Sequence, residues 1–313
     1  ALLPLPVLAI RLDEHRYAQQ IVVPAINSEG KLQPLVRRAV WDRNEERIEY
    51  LAPGSGASAD AAEFYGALVR ECLESRFDRV HMAQVRAGDQ VLVARALSSL
   101  RLADLTTRGC RPRYGIGVYD QPRHHSFPPA TLHLVQCLID WGMFERARDL
   151  LNCYLDCYVK EDGTFDYYGP ALAEYGQMLS LTAHFASVTG DERWWQSQEP
   201  VLRPIWRRLI DLRHQALADE QAPAGTWGLV PGLPEADYHT DQAQWHECYF
   251  SGNAWAVRGL VDVARLLFTY HQQAECAEVF DAAQAWREDL EQAVLQARVP
   301  TERGVFVAPG PTQ

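Results

Sequence analysis

Carboxylates crowded among aromatic rings are the residues of this chain best suited to do chemistry. Between 218 and 248 the sequence reads ADEQAPAGTWGLVPGLPEADYHTDQAQWHEC, which sets Glu235, Asp237 and Glu247 among Trp227, Tyr238 and Trp245. Rings of this kind lie against the C–H faces of sugars, and carboxylates bond sugar hydroxyls. Cleaving a glycosidic bond needs one carboxylic acid to protonate the leaving oxygen and a second carboxylate to activate water or attack. Asp237 and Glu235 are the candidates for that catalytic work. Trp227, Tyr238, Trp245 and Glu247 are candidates for gripping the substrate. Taken singly, each acid reads as an ordinary solvated side chain; the grouping makes the site. So long a stretch without periodicity is functional or disordered, and its aromatic content argues against disorder.

Two further stretches add to this set. The segment 113–129, RYGIGVYDQPRHHSFPP, offers Tyr119, Asp120 and Arg123 beside the adjacent pair His124 and His125. Neighbours in a loop do not share a face and no third ligand stands nearby, so no metal and no cofactor are expected. The segment 160–177, KEDGTFDYYGPALAEYGQ, opens on the turn signal Asp162-Gly163. Asp166 and Tyr168 follow just ahead of a helix start, where an acid meets the positive helix end. Glu174 and Gln177, three apart on one helix face, read either as ligands facing an interior or as a polar face behind a cap. The chain holds no GxSxG, P-loop, GxGxxG after a strand or HExxH, and Ser126 beside His125 is adjacency rather than a catalytic pair.

These groups have to be positioned by helices. Apolar spacing of three and four predicts helices over 61–77 (with Asp60 or Ser58 as cap), 89–107, 130–142, 143–159, 171–190, 191–217, 250–271 and 272–299. Gly142 and Gly190 stand where helices end, so 130–159 and 171–217 read as tight antiparallel pairs. Pro200 and Pro204 mark the first turn of a longer helix after a short leading segment. Short turns therefore alternate with long polar-aromatic loops, repeating roughly every 45 to 60 residues, as in stacked helical pairs. Residues 1–58 differ: VLAIRL, QQIVVPAI, LVRRAVW and RIEYLA are short Val- and Ile-rich runs that read as strands or extended segments. The expected fold is thus mainly α, a toroid-type barrel of helical hairpins over 59–313. About three complete hairpins can be counted, fewer than a closed ring needs.

Composition narrows the partners. A net charge of −11 and a hydrophobic content of 47% describe an acidic globular chain with no nucleic acid or membrane partner, since phosphate binding needs clustered Lys and Arg. No apolar run approaches the roughly 20 residues that span a bilayer. The opening ALLPLPVLAI lacks a basic leader and does not read as a signal peptide; without an initial Met it reads as processed or trimmed. Most of the seven cysteines sit in apolar helical patterns, including the one-turn pair Cys153 and Cys157. Free thiols point to a reducing, cytoplasmic compartment.

The series FPPATLHLVQCLIDWGMFERARDLL (127–151), DGTFDYYGPALAEYGQMLSLTAHFASVTGDERWW (162–195) and WGLVPGLPEADYH followed by SGNAWAVRGLVDVARLL (227–267) resembles the six-hairpin glycosidase superfamily. Its members include glucoamylase-like, trehalase-like and processing-glucosidase-like enzymes with an (α/α)6 barrel. The resemblance spans about 87–299 and is specific as a series rather than element by element. It implies an inverting hydrolase of α-linked oligosaccharides or small glycosides, with the general acid between the fifth and sixth helices. Asp237, preceded by Gly-Leu-Pro and followed by Tyr238, matches that position best, with Glu235 second. Two departures stand out. Pro129-Ala130 occupies the place where many members carry a substrate-gripping Arg-Asp, and no counterpart of the catalytic base precedes residue 313, Glu302 being a poor substitute. The competing expectations are a sugar-binding or sugar-modifying toroid of epimerase or lyase type, and a helical-repeat scaffold for other proteins.

Overall fold

The computed structural model describes residues 7–26, 32–50, 90–105, 107–108, 111–112, 127–167, 171–233, 247–270 and 272–311. The chain forms two compact units, Ala1–Leu102 and Ala103–Gln313. It is mainly helical, with small strands toward the N-terminus.

In the first unit, β1 (Val7–Arg11), β2 (Arg16–Ile26), β3 (Leu32–Asp42) and β4 (Arg47–Tyr50) make an antiparallel meander in chain order. Tyr17 lies opposite Trp41 in the β2–β3 register, their rings 5.6 Å apart, a cross-strand aromatic pair. Asp13 closes the β1–β2 turn by accepting from the backbone N–H of His15 (2.9 Å) and Arg16 (2.8 Å) and from Arg16 Nε (2.6 Å). The His15 N–H bond foremost, then the Arg16 side chain, lower its pKa to about 2. Helix α1 occupies Gln90–Leu105.

The second unit holds the short hairpin β5 (Thr107–Arg108) and β6 (Arg111–Pro112), then α2 (Pro128–Asp140), α3 (Phe144–Tyr158), α4 (Leu172–Thr189), α5 (Glu192–Ala218), α6 (Phe250–Thr269) and α7 (Gln273–Gln296). A final hairpin pairs β7 (Arg298–Thr301) with β8 (Gly304–Val307). The helices pack as hairpins, α2 with α3, α4 with α5 and α6 with α7. Across the hairpins α2, α4 and α6 form one row, and α3, α5 and α7 a second. Trp195, Trp206, Trp286, Tyr154 and Phe185 are fully buried, and Trp195 stacks on Trp206 at 6.2 Å between ring centres.

Glycine sets how closely the first row packs. A Cβ on Gly176 would stand 2.0 Å from the Trp255 carbonyl oxygen, and one on Gly259 would stand 2.5 Å from that of Gly176. Only a residue without a side chain permits such backbone approach. Gly252 lies against Leu172 and Ala173, and Ser180 donates to Asp262 (2.7 Å), so α4 and α6 advance side by side in parallel.

Three expectations need correction. Pro200 and Pro204 do not begin a helix; both lie inside a continuous α5 that starts at Glu192. Asp191 caps it, accepting from Trp194 N–H at 3.0 Å. The prolines sit on the more open side, while Trp195, Leu202, Ile205, Trp206 and Leu209 bury one stripe of the helix, which outweighs the two lost backbone bonds. The last helix stops at Gln296 and gives way to the β7–β8 hairpin. Finally, Cys153 is disulfide-bonded, whereas Cys137, Cys157, Cys248 and Cys276 are free thiols. Among the described residues, no helix is long and apolar enough to cross a membrane.

Candidate functional site

Antiparallel hairpins alternate the ends at which they connect. The turns 141–143 and 190–191 lie at one end of the rows with Tyr270 and Gln272, and the described parts of the longer connections, 159–167 and 219–233, at the other, with the β7–β8 hairpin. Backbone bonds join this rim. Leu172 N–H donates to Leu233 O (3.2 Å), Gly232 N–H to Glu247 O (3.0 Å), and Phe250 N–H to Pro309 O (2.9 Å). Gly232 and Glu247 thereby meet, next to the Leu233 that bonds the first turn of α4.

Two buried side chains fix this loop. Asn253, wholly enclosed in α6, accepts through Oδ1 from Val230 N–H (2.9 Å) and Trp286 Nε1–H (2.9 Å). Its Nδ2 donates to Val230 O (3.1 Å) and Tyr249 O (2.9 Å), so both halves of the amide are used twice. Arg213 donates from Nη1 to Gly228 O (2.7 Å) and from Nη2 to Asp289 Oδ2 (2.7 Å), and its guanidinium lies 5.6 Å from the Trp286 ring centre. Gly228 adopts φ 70°, a left-handed conformation that suits glycine, so its carbonyl can meet Arg213.

Of the residues singled out in sequence, Asp237, Glu235, Tyr238, Trp245, Tyr119, Asp120, Arg123 and Tyr168 lie outside the described residues. Of the other five, Trp227, Glu247 and Asp166 lie on the rim connections, and Glu174 and Gln177 on α4. Trp227 is 60% exposed on the loop held by Arg213. Glu247 is half-buried, with Oε2 3.5 Å from the Tyr249 hydroxyl. Asp166 is exposed beside Lys160 Nζ (3.3 Å) and does not cap α4, whose N-cap is Ala171. Asp162-Gly163 makes the turn before it, Asp162 Oδ1 accepting from Thr164 N–H at 2.9 Å. Glu174 and Gln177 part company. Glu174 is 2% exposed and its charge adds to the burial that holds the Tyr154 hydroxyl protonated well above the ordinary tyrosine range. Gln177 faces open space.

That space is a cleft of about 270 Å³ on the face shared by α2, α4 and α6. Helix α2 lends Leu132, His133 and Gln136; α4 lends Gln177, Ser180, Leu181 and His184. Helix α6 adds Trp255, 40% exposed, and Arg258. Leu132 and Leu181 are buried and form an apolar floor, while the amides, imidazoles and Arg258 carry the polar contacts. Ser180 gives its proton to Asp262, and Gln136 Nε2 donates to Asp140 Oδ1 (2.7 Å). The seam of Gly176 and Gly259 is what brings Gln177 and Trp255 to one opening. An apolar floor, one ring and a few converging polar groups are the ordinary ingredients of a small-molecule site, and this cleft lies at the small end of such sites. Among the described residues, no three metal-ligating side chains stand together.

Sequence reasoning found only Gln177 of these lining residues. The signal was present as polar and aromatic residues at helical spacing, His133 and Gln136, Gln177 and His184, Trp255 and Arg258, within otherwise apolar helices. Against protein-family models, curated proteins and solved structures the chain finds no match, so a functional reading rests on this cleft and the rim beside it.

Proposed function

We propose that the chain works on carbohydrate as a toroid-type stack of α/α hairpins, hydrolysing α-linked glycosides through two carboxyls by inversion. The observation that supports this reading is the position of the cleft. It opens on the row of α2, α4 and α6, where the first turn of α4 bonds Leu233, with Trp255 offering a flat apolar face among amides; the sequence from Leu233 to Glu247 is rich in acids and aromatics. Asp237 is the proposed general acid and Glu235 the second candidate, on a loop whose ends are pinned at Gly232 and Glu247. An acid protonating the leaving oxygen must reach the sugar ring from a rigid base, and Asn253 with Arg213 supplies that rigidity. The test is a panel of aryl α-glycosides. Turnover lost by at least about a hundredfold in Asp237→Asn, with Tm unchanged, supports the reading. Turnover undiminished in Asp237→Asn and in Glu235→Gln overturns it.

A second reading, sugar binding without hydrolysis, is favoured by one specific feature: no carboxylate is among the cleft-lining residues described. It predicts sugar binding with no turnover on any glycoside of the panel.

A further inference from the structure

We infer that the cleft between α2, α4 and α6 takes a sugar carrying an anionic group, with the anion held by Arg258 and the ring laid on Trp255. This rests on the carbohydrate reading above and narrows its substrate class. The whole chain is acidic, with 41 Asp and Glu against 30 Lys and Arg. The cleft is not. Among its described lining residues none is acidic, and Arg258 faces it. In an otherwise acidic protein, a cleft whose described lining offers a cation and no acid favours an anionic ligand.

The arrangement of Arg258 sharpens the point. Its Nε donates to Asp262 Oδ2 one turn along α6, and its two Nη groups have no partner among the described residues. Asp262 is shared, since it also accepts from Ser180 (2.7 Å) and stands 3.5 Å from Arg265 Nη1. One carboxylate thus answers two guanidiniums and leaves positive charge over. The pair also orients Arg258, whose side chain is otherwise 61% exposed, so less conformational freedom is lost when it grips a ligand. A planar fork with free Nη donors matches a carboxylate or phosphate through paired, charge-assisted bonds. The rest of the lining adds the Gln177 amide and the two imidazoles, each able to donate, while Gln136 Nε2 is taken up by Asp140. A neutral sugar would instead need strong acceptors for its hydroxyl protons, and acceptor-only carboxylates are what the described lining lacks.

A carboxylate on the ring and a phosphate ester share this chemistry, and titration separates them. D-glucuronate, glucose 6-phosphate and glucose are each titrated into the full chain by calorimetry, and again into Arg258→Gln, whose exposed position leaves Ser180 and Arg265 still bonded to Asp262. The expected result is that at least one anionic sugar binds roughly tenfold more tightly than glucose, and that Arg258→Gln removes this preference, the loss in affinity falling roughly tenfold harder on the anion than on glucose. Gln177→Glu, which adds a carboxylate to the cleft, should also weaken the anion relative to glucose. Tighter binding of glucuronate assigns the carboxylate, and tighter binding of glucose 6-phosphate assigns the phosphate. Glucose binding as tightly as both anions, or an anion preference that survives Arg258→Gln, overturns the inference while leaving the carbohydrate reading standing. Absence of binding by all three sugars overturns both.

Discussion

At the end where the hairpins turn, backbone geometry does the holding, whereas at the rim a few buried side chains do it. Gly142, at φ 74°, closes α2 by donating its N–H to Ile139 O (2.9 Å) while Met143 N–H reaches Leu138 O (2.8 Å). This paired pattern satisfies the last carbonyls of a helix without any side chain. Gly190 and Asp191 do the same work between α4 and α5, one by left-handed geometry and the other by capping. The described part of the longest rim connection is held otherwise, by Asn253 and Arg213, which reach Val230 and Gly228 from the two helices that flank it, 23 and 15 residues away. The difference teaches where the molecule can vary. A short turn is determined by its own residues, while a long loop is free to carry function once a buried side chain of a flanking helix fixes its base.

Breaking an anchor should therefore cost far more than breaking a turn. Asn253→Leu strands the Val230 N–H and C=O and the Trp286 indole in the core, and about 3–5 kcal/mol of stability should be lost in urea unfolding. A loss under about 1 kcal/mol would mean that the rim is held elsewhere. Next in size is Arg213→Met, which leaves the Asp289 carboxylate and Gly228 O unanswered, at about 2–4 kcal/mol. The double variant Arg213→Met/Asp289→Leu should recover part of that loss in the same titration, since it removes the stranded charge. At the turning end the effects shrink. Gly142→Ala forces a Cβ into left-handed geometry, and Asp191→Ala removes a cap, each costing about 1 kcal/mol by thermal or urea unfolding. If either turn variant proved as damaging as Asn253→Leu, the contrast between the ends would be wrong.

The smallest effect sharpens the contrast without a substitution. Burial pushes the Cys248 thiol, at the base of the rim loop beside Leu229, up to about 11. It should stay unmodified by iodoacetamide at pH 8 in the native chain, while exposed Cys137 and Cys157 react. Peptide mass mapping after alkylation reads this directly. Rapid native labelling of Cys248 would show the rim opening without unfolding.

The contrast also explains what could be read in the sequence. Helix ends set by Gly142 and Gly190 were readable because their cause is local, and the amphipathic runs of α2 to α7 carry their own period. Pro200 and Pro204 misled because their local rule was overridden by the tryptophan stripe that α5 buries. The β7–β8 hairpin escaped notice because both strands, RVPT and GVFV, are exposed along their length and so lack an alternating pattern. Asn253 was invisible for the opposite reason: a single amide on a helix has no signature until the loop and Trp286 arrive from elsewhere in the chain. The cleft failed the same way. Polar residues at helical spacing look like a solvent face on each of three helices, and only their juxtaposition makes a site.

The central claim, that this juxtaposition is a sugar site, is tested most directly by labelling the tryptophan indoles with 15N and titrating the full chain with methyl α-glucoside and with glucuronate. The account predicts that the Trp255 Nε1–H resonance, identified by its absence in Trp255→Phe, shifts in a saturable way, while those of buried Trp195, Trp206 and Trp286 stay in place. A saturable response confined to Trp227 on the rim, or no indole response to either sugar, would contradict it.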